Sequence, residues 1–352
     1  MNVPLFDMAS ELAAIRPEVD GAIARVLDSG IFIGGPEVSA FEQELATFTH
    51  ARHAVAVSSG TDALLATLMA LGIGPGDEVV TPPFTFFATI GAPLRLGAKV
   101  VFADVDADTL TLDPHAALAA CTPRTRAIIP VNLFGYPAVL PASAPCPIVE
   151  DAAQSVGTHP PRGVAATLSF FPTKNLGALG DGGAILTDDA SLADRLTLLR
   201  SHGARPKYHH VALGGNFRLD PLQAAVLRAK LAHLERWTHE RRAHAAHYIE
   251  LFTAGHLPPE VRLPALHDDH VFHHFVLRVP RRDALRAHLA AHTIGTEVYY
   301  PEPLHRQPIF TAPGHFPNAE RACTEVLAIP MYPTLTATAQ ARVVDAIAAF
   351  YA

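Results

Sequence analysis

The chain has 352 residues, 49% hydrophobic and 17% charged, with a formal net charge of −7. That length suits one large globular unit with a smaller one beside it. The negative balance excludes the concentrated basic face of a nucleic-acid footprint, and no apolar run is long enough to span a membrane.

The first stretch, MNVPLFDMASELAAIRPEVD, mixes acids with apolar residues and lacks a basic end followed by an apolar run, so no secretory signal is read. Three scattered cysteines, Cys121, Cys146 and Cys323, form no metal or redox spacing. A reducing cytoplasm is the expected setting. Further along, HAVAVS (53–58) reads as a buried strand, and GTDALLATLMALG as a helix opening at a glycine-threonine turn. DEVVTP, AKVVFADV, AIIPVN and PIVED read as further strands, alternating with helical or loop segments as a parallel α/β sheet requires. LSFF and GAILTD flank a lysine loop and are expected to pair. A long helical pattern runs from Leu219 to Phe252, where HERRAH (His239 to His244) resembles a zinc motif with one residue too many. The insertion turns the second histidine by about 140° instead of roughly 40°, so the side chains diverge and no metal is expected. HVFHHFVLRV, RRDALRAHLAAHT and ATAQARVVDAIAAF complete a second unit.

The chemistry centres on FFPTKNLGALGDGG (170–183). A phosphate-binding P-loop needs glycine before the lysine and Ser or Thr after it, whereas Thr173 precedes Lys174 and Asn175 follows. Other stretches become intelligible if Lys174 carries pyridoxal phosphate as a Schiff base, since burial favours the neutral, nucleophilic amine. The cofactor's ring nitrogen then needs an anion. Asp151 in VEDAAQS, at the carboxyl end of a strand, is the candidate, with Gln154 for the ring hydroxyl; a helix-capping acid is the alternative. SSGTDALLA offers a strand, a glycine turn and a helix start suited to phosphate, or an ordinary cap. Ser169 adds a hydroxyl. Phe86 in PFTFFAT could lie over the ring or belong to the core.

Nearly the whole chain resembles the DegT/DnrJ/EryC1/StrS family of pyridoxal-phosphate-dependent sugar aminotransferases. The likeness runs through SGIFIGGPEVSAFEQELATF, IVEDAAQSVG, SFFPTKNLGALGDGGAILT, LGGNFRLDPLQAAVLRAKL and VYYPEPLHRQPIF. It implies a fold type I α/β protein. A large domain (1–250, with the amino-terminal helices and the long helix) carries a mostly parallel central sheet, and a smaller C-terminal α+β domain covers 251–352. By matching motif, Lys174 is the Schiff-base lysine, Asp151 the ring-nitrogen partner, Gln154 the ring-hydroxyl contact and Phe86 the stacking residue. Gly60, Thr61, Asp62 and Ser169 lie at the phosphate. Asn216 is similar to the asparagine that reaches the phosphate from a neighbouring subunit, which implies a homodimer with shared sites.

The resemblance further implies that an amino acid, read as L-glutamate, leaves its amino group on the cofactor as pyridoxamine phosphate. A nucleotide-linked keto sugar then takes it. A dehydratase branch has histidine in place of the lysine, so Lys174 points to transamination. KYHHVALGGNFRLDPLQAA is more similar to members acting on 3-keto sugars than to perosamine-type enzymes acting at C4. UDP-linked 3-keto N-acetylhexosamines or their uronates, and dTDP-linked 3-keto-6-deoxyhexoses, are the expected substrates. Arg218 suits a carboxylate or diphosphate, or an interface salt bridge. His209, Tyr299 and His305 are further sugar-contact candidates, although the family often has histidine at the place of Tyr299. A 4-keto substrate and a regulatory or scaffold role are the alternatives.

Overall fold

A computed structural model describes residues 2–255, 257–310 and 314–352. Seven strands build the main sheet: β1 (His53–Val57), β2 (Glu78–Thr81), β3 (Lys99–Phe102), β4 (Thr125–Ile128), β5 (Val149–Asp151), β6 (Ala165–Ser169) and β7 (Gly183–Thr187). Hydrogen bonding gives the runs β1-β7-β6-β5 and β3-β2-β4. Parallel bridges Ile128–Ile148 and Val131–Asp151 join them into the order β3-β2-β4-β5-β6-β7-β1. β7 is antiparallel to both its neighbours, while β2-β3, β2-β4 and β5-β6 pair in parallel. The expected pairing of LSFF with GAILTD is thus a short antiparallel ladder, Ala166–Leu186 to Ser169–Gly183.

Alternation along these strands splits the core into two layers. Ala56, Leu168 and Leu186 face Phe41, Leu45, Leu227 and Leu231 on one side. Val55, Val57 and Ile185 face Ala63, Ala66 and Leu196 on the other. A sheet covered on both faces needs strands with no polar side, and β2 and β7 are buried along their whole length. The helix read over 219–252 spans Pro221–Ala254. Asp220 is still extended and Pro221 occupies the first helical position, where its missing N–H costs nothing.

Beyond the long helix, β8 (Phe275–Arg278) pairs antiparallel with β9 (Val326–Ile329). β8 lies within HVFHHFVLRV, the stretch that opens the second unit in the sequence, whereas β9 has no counterpart there. Only the second half of that motif is strand. Before it the backbone is satisfied locally: the Val271 N–H donates to Gly135 O, and the Phe272 N–H to His270 Nδ1. Val3 bridges Ile294, which places the first residues of the chain with this C-terminal part. Tyr248, Phe252, Phe272, Phe275, Leu285 and Ile347 share one core there.

The buried Tyr248 hydroxyl donates to Pro330 O at 3.1 Å, tying the long helix to the segment after β9. Tyr248→Phe keeps the ring and leaves that carbonyl without its donor. It is expected to cost about 1–2 kcal/mol, read as a lower urea midpoint at an unchanged slope.

Candidate active site

Asp151 closes β5, and its backbone is held on both sides: its N–H donates to Pro130 O and its carbonyl accepts from Asn132 N, each at 2.9 Å. The carboxylate sits at the C-terminal end of a parallel strand, where open α/β sheets gather ligands. Oδ2 accepts from Thr89 Oγ1 at 2.8 Å, and Oδ1 from the Ala153 N–H at 3.2 Å. Thr89 is braced in turn by Thr85, 2.9 Å away. Burial pushes this carboxyl's pKa up; the two donors and the Lys174 charge oppose the rise.

Lys174 lies in the loop from β6 to β7. Burial lowers its ammonium pKa to about 8, against the raising effect of the Asp151 charge. The amine is therefore substantially neutral at mildly alkaline pH. The loop is pinned from several directions. The Lys174 N–H donates to Phe171 O and the Ala178 N–H to Phe170 O, both at 2.8 Å. The Asn175 amide donates to Val271 O at 3.1 Å, while its Oδ1 lies 3.1 Å from His273 Nδ1, which marks Nδ1 as the protonated ring nitrogen. His273 and His274 are fully desolvated, and burial together with the Lys174 and Arg241 charges holds both rings neutral.

Gln154 is buried beside Asp151, but its Oε1 is taken by the Phe134 N–H at 2.5 Å. The Tyr300 hydroxyl lies near its amide, with its pKa raised by burial and by the Asp151 charge and Gln154 opposing the rise. Only an amide N–H of Gln154 remains to meet a ring oxygen. Phe86 is exposed and tilts toward Tyr300, ring centres 6.4 Å apart. His273, His274 and Tyr300 were not among the residues singled out in the sequence, where HVFHHFVLRV only opens the second unit and Tyr300 is the neighbour of the chosen Tyr299.

At the other end of the site, the helix Gly60–Ala70 starts directly after β1. Ser59 caps it by accepting from the Asp62 N–H at 3.0 Å, and Ser58 Oγ donates to Asp62 Oδ2 at 2.6 Å. A Cβ on Gly60 would stand 2.7 Å from Ser169 Cβ. Glycine therefore lets the helix start and the Ser169 hydroxyl converge, with Thr61 and its neighbours leaving N–H groups for an anion. The segment carrying Asn216 and Arg218 runs alongside: the Ser58 N–H donates to Phe217 O at 3.0 Å, and Arg218 bridges Val57. Asn216 is exposed, and the buried Arg218 Nε has no hydrogen-bond partner.

The remaining substrate candidates lie apart from this group. His209 is on the exposed 205–214 segment. Tyr299 stacks on His274 with centroids 4.5 Å apart, behind the site. The structure does not bring His305 to the mouth: it is buried between Phe102 and Phe316, its Nε2 3.1 Å from Glu320 Oε1. Among the described residues no group of metal-ligating side chains gathers, and no helix is long and apolar enough to cross a membrane.

A family model for the DegT/DnrJ/EryC1/StrS aminotransferase family matches residues 13–348. The chain is 45% identical over its whole length to a pleiotropic regulatory protein of Geobacillus stearothermophilus, covering 99% of that relative. It is 45% identical to the dTDP-3-amino-3,4,6-trideoxy-alpha-D-glucose transaminase of Streptomyces venezuelae, over 98% of this chain and 95% of that one. Identity to the UDP-N-acetyl-3-dehydro-alpha-D-glucosamine 3-aminotransferase of Acidithiobacillus ferrooxidans is 42%, over 98% and 97%. Among solved structures, S. venezuelae DesV in complex with a ketimine intermediate superposes with a TM-score of 0.94 at 43% identity, over 99% of this chain and 98% of that one.

The Lys174 environment has a thermodynamic signature. An unfolded lysine keeps its proton up to its ordinary value of 10.5, whereas the folded one loses it at about 8. The unfolded state binds more protons between those values, so stability rises with pH there, and the burial cost is complete below them. Lys174→Met is expected to stabilise the cofactor-free protein by about 2 kcal/mol at pH 7, with the gain shrinking toward pH 10. Urea midpoints at the two pH values check this; the shrinkage is the informative part, because Asp151 also loses its counter-charge.

Proposed function

The chain belongs to the DegT/DnrJ/EryC1/StrS aminotransferase family, and from that premise we propose that it moves an amino group from an amino acid onto C3 of a nucleotide-linked keto sugar. The fold is that of the fold type I aminotransferases. Relatives named for dTDP-linked and UDP-linked 3-amino sugars support C3 over C4. The name of the Geobacillus relative points to regulation, but a buried Lys174 opposite Asp151 is a costly arrangement that a scaffold has no use for. That pair is the observation that carries the reading.

The residues present fit pyridoxal phosphate. Asp151, kept anionic by Thr89 and Ala153, suits a protonated ring nitrogen, and Gln154 retains an N–H for the ring oxygen. The Gly60–Thr61–Asp62 turn converges with Ser169 on one anion, and Phe86 offers a flat exposed ring. When bound, the cofactor supplies a carbonyl that accepts the amino group and a ring that takes up the electron pair left at carbon. Lys174 does the proton work: its neutral Nζ takes the proton from the donor α-carbon and returns it on the far side of the transfer. Asp151 holds the ring nitrogen's proton. The Thr85–Thr89 chain keeps that carboxylate from turning away.

We assign Arg218 to a carboxylate or diphosphate of the sugar nucleotide, with His209 on the exposed 205–214 segment as a further sugar contact; Tyr299 stacks on His274 behind the site, and the buried His305 is not brought to it. The donor is read as L-glutamate. A homodimer in which Asn216 reaches the partner's phosphate fits the exposed apolar groups Ile31, Phe32 and Ile33, and Tyr208, Val211 and Leu213. Our reading divides the chain at about residue 250, with the β8–β9 sheet beyond the long helix in support. Three free thiols suit a reducing cytoplasm.

Borohydride reduction followed by peptide mapping is expected to find the cofactor on Lys174. The aminated form should then be reoxidised by 3-keto sugar nucleotides and not by their 4-keto isomers. Label on Lys99, Lys207 or Lys230, or turnover with 4-keto sugars alone, would overturn the reading. For the shared site, inactive Lys174→Ala and Asn216→Ala subunits are mixed. Exchange at random puts both defects in one site of a heterodimer and leaves the other intact, so about a quarter of the activity is expected back when half the dimers are mixed. No recovery despite proven exchange would place both residues in one subunit's own site.

A further inference from the structure

Beneath the loop that carries Lys174 lies a set of buried charges that the transfer chemistry leaves unused. Lys230, on the long helix, is 8% exposed, and its Nζ donates to Gly177 O at 2.6 Å. Gly177 cannot be replaced without moving the loop, since a Cβ there would stand 2.2 Å from Pro172 O. The loop therefore folds back on itself three residues after Lys174, and its carbonyl is fixed by an ammonium from another element. Glu11, on the amino-terminal helix Met8–Ala14, is the acid whose charge reaches both Lys230 and Arg241, with 3.8 Å between its Oε1 and Arg241 Nη2. Arg241 in turn donates to Met331 O at 3.0 Å and Phe272 O at 3.4 Å, next to His273.

We propose that Lys230, with Glu11 as its counter-charge, is a positioning residue: through the Gly177 carbonyl it sets the placement and hydration of Lys174. The proposal rests on the reading of Lys174 as the reactive amine. The Lys230 ammonium also lies over the Trp237 ring, 6.0 Å from its centre, a cation–π contact that needs no hydrogen bond. Its hydrogen bond goes to the backbone of the reactive loop. Charge-assisted bonds to carbonyls are short and directional, so this contact fixes the loop more tightly than packing would. The titratable groups facing Lys174 are Asp151, His273 and His274, with Tyr300 beyond Asp151. Asp151 is the charge that shifts Lys174 itself, so removing Lys230 acts on the amine through its position and exposure to water.

The test uses full-length Lys230→Met, Lys230→Arg and Glu11→Gln. Acetic anhydride labelling of Lys174 in the cofactor-free protein, followed against pH by peptide mapping, reads the titration of the amine directly. The parent midpoint should fall near 8. Lys230→Met should raise it by about half a pH unit or more, as water reaches the amine, and Glu11→Gln should raise it by less. In the cofactor-loaded enzyme, Lys230→Met should shift the pH midpoint of the visible band and lower kcat about tenfold, with the sugar KM within about twofold. Lys230→Arg keeps a cationic donor and should recover most of the loss. A Lys230→Met protein that labels and absorbs like the parent overturns the proposal. If that variant does not fold, an unmoved labelling midpoint in Glu11→Gln does so. Borohydride label on another lysine would sink the reading of Lys174, while the labelling midpoint still judges its link to Lys230.

Discussion

An amine that must shed its proton near neutrality lies close to a carboxylate that must keep its charge, the carboxylate buried and the lysine half-buried. Burial alone would neutralise the two groups. Lys174 is drawn down to about 8 by that effect, which transamination exploits. Asp151 is pushed upward by the same effect, which transamination cannot tolerate, so the fold supplies Thr89 and the Ala153 N–H against it. One environment thus serves opposite ends on neighbouring strands. β5 delivers the acid at its carboxyl end, β6 and β7 hold the lysine loop between them, and packed layers cover both faces of the sheet behind them.

Most of the frame was legible because it is local. Alternating apolar strands, the capped start of Gly60–Ala70 and the proline at the head of the long helix each declare themselves within a few residues. Lys174 and Asp151 stood out because their neighbours in sequence are unusual for loops and caps. What stayed hidden depends on partners remote in the chain. His273 meets Asn175, and Lys230 meets Gly177, only after the C-terminal part and the long helix have docked. Tyr300 matters because Gln154 lies against it, which no spacing reveals. β9 follows directly on the helix Pro317–Glu325, so its four residues carry no turn signal to set them apart.

The amino-terminal residues bind the two parts of the chain together. Val3 pairs with Ile294, Phe6 packs its ring against His273 and His274, and Glu11 sits by Arg241. A segment of low intrinsic helix content is held by what it touches, and it touches both the long helix and the C-terminal part. Residues far from the chemistry in sequence therefore share in its geometry.

The place of β1 has a consequence for how the chain reaches this state. β1 pairs with β7 alone in the sheet, His53 against Thr187 and Val57 against Gly183, and everything from β2 to β6 is made in between. At ordinary ribosomal speed that interval lasts on the order of ten seconds. Throughout it, an apolar five-residue strand has no ladder to join. Nascent β1 is therefore a sticky edge held open by topology, and the yield of folded protein depends on what shelters it until β7 emerges.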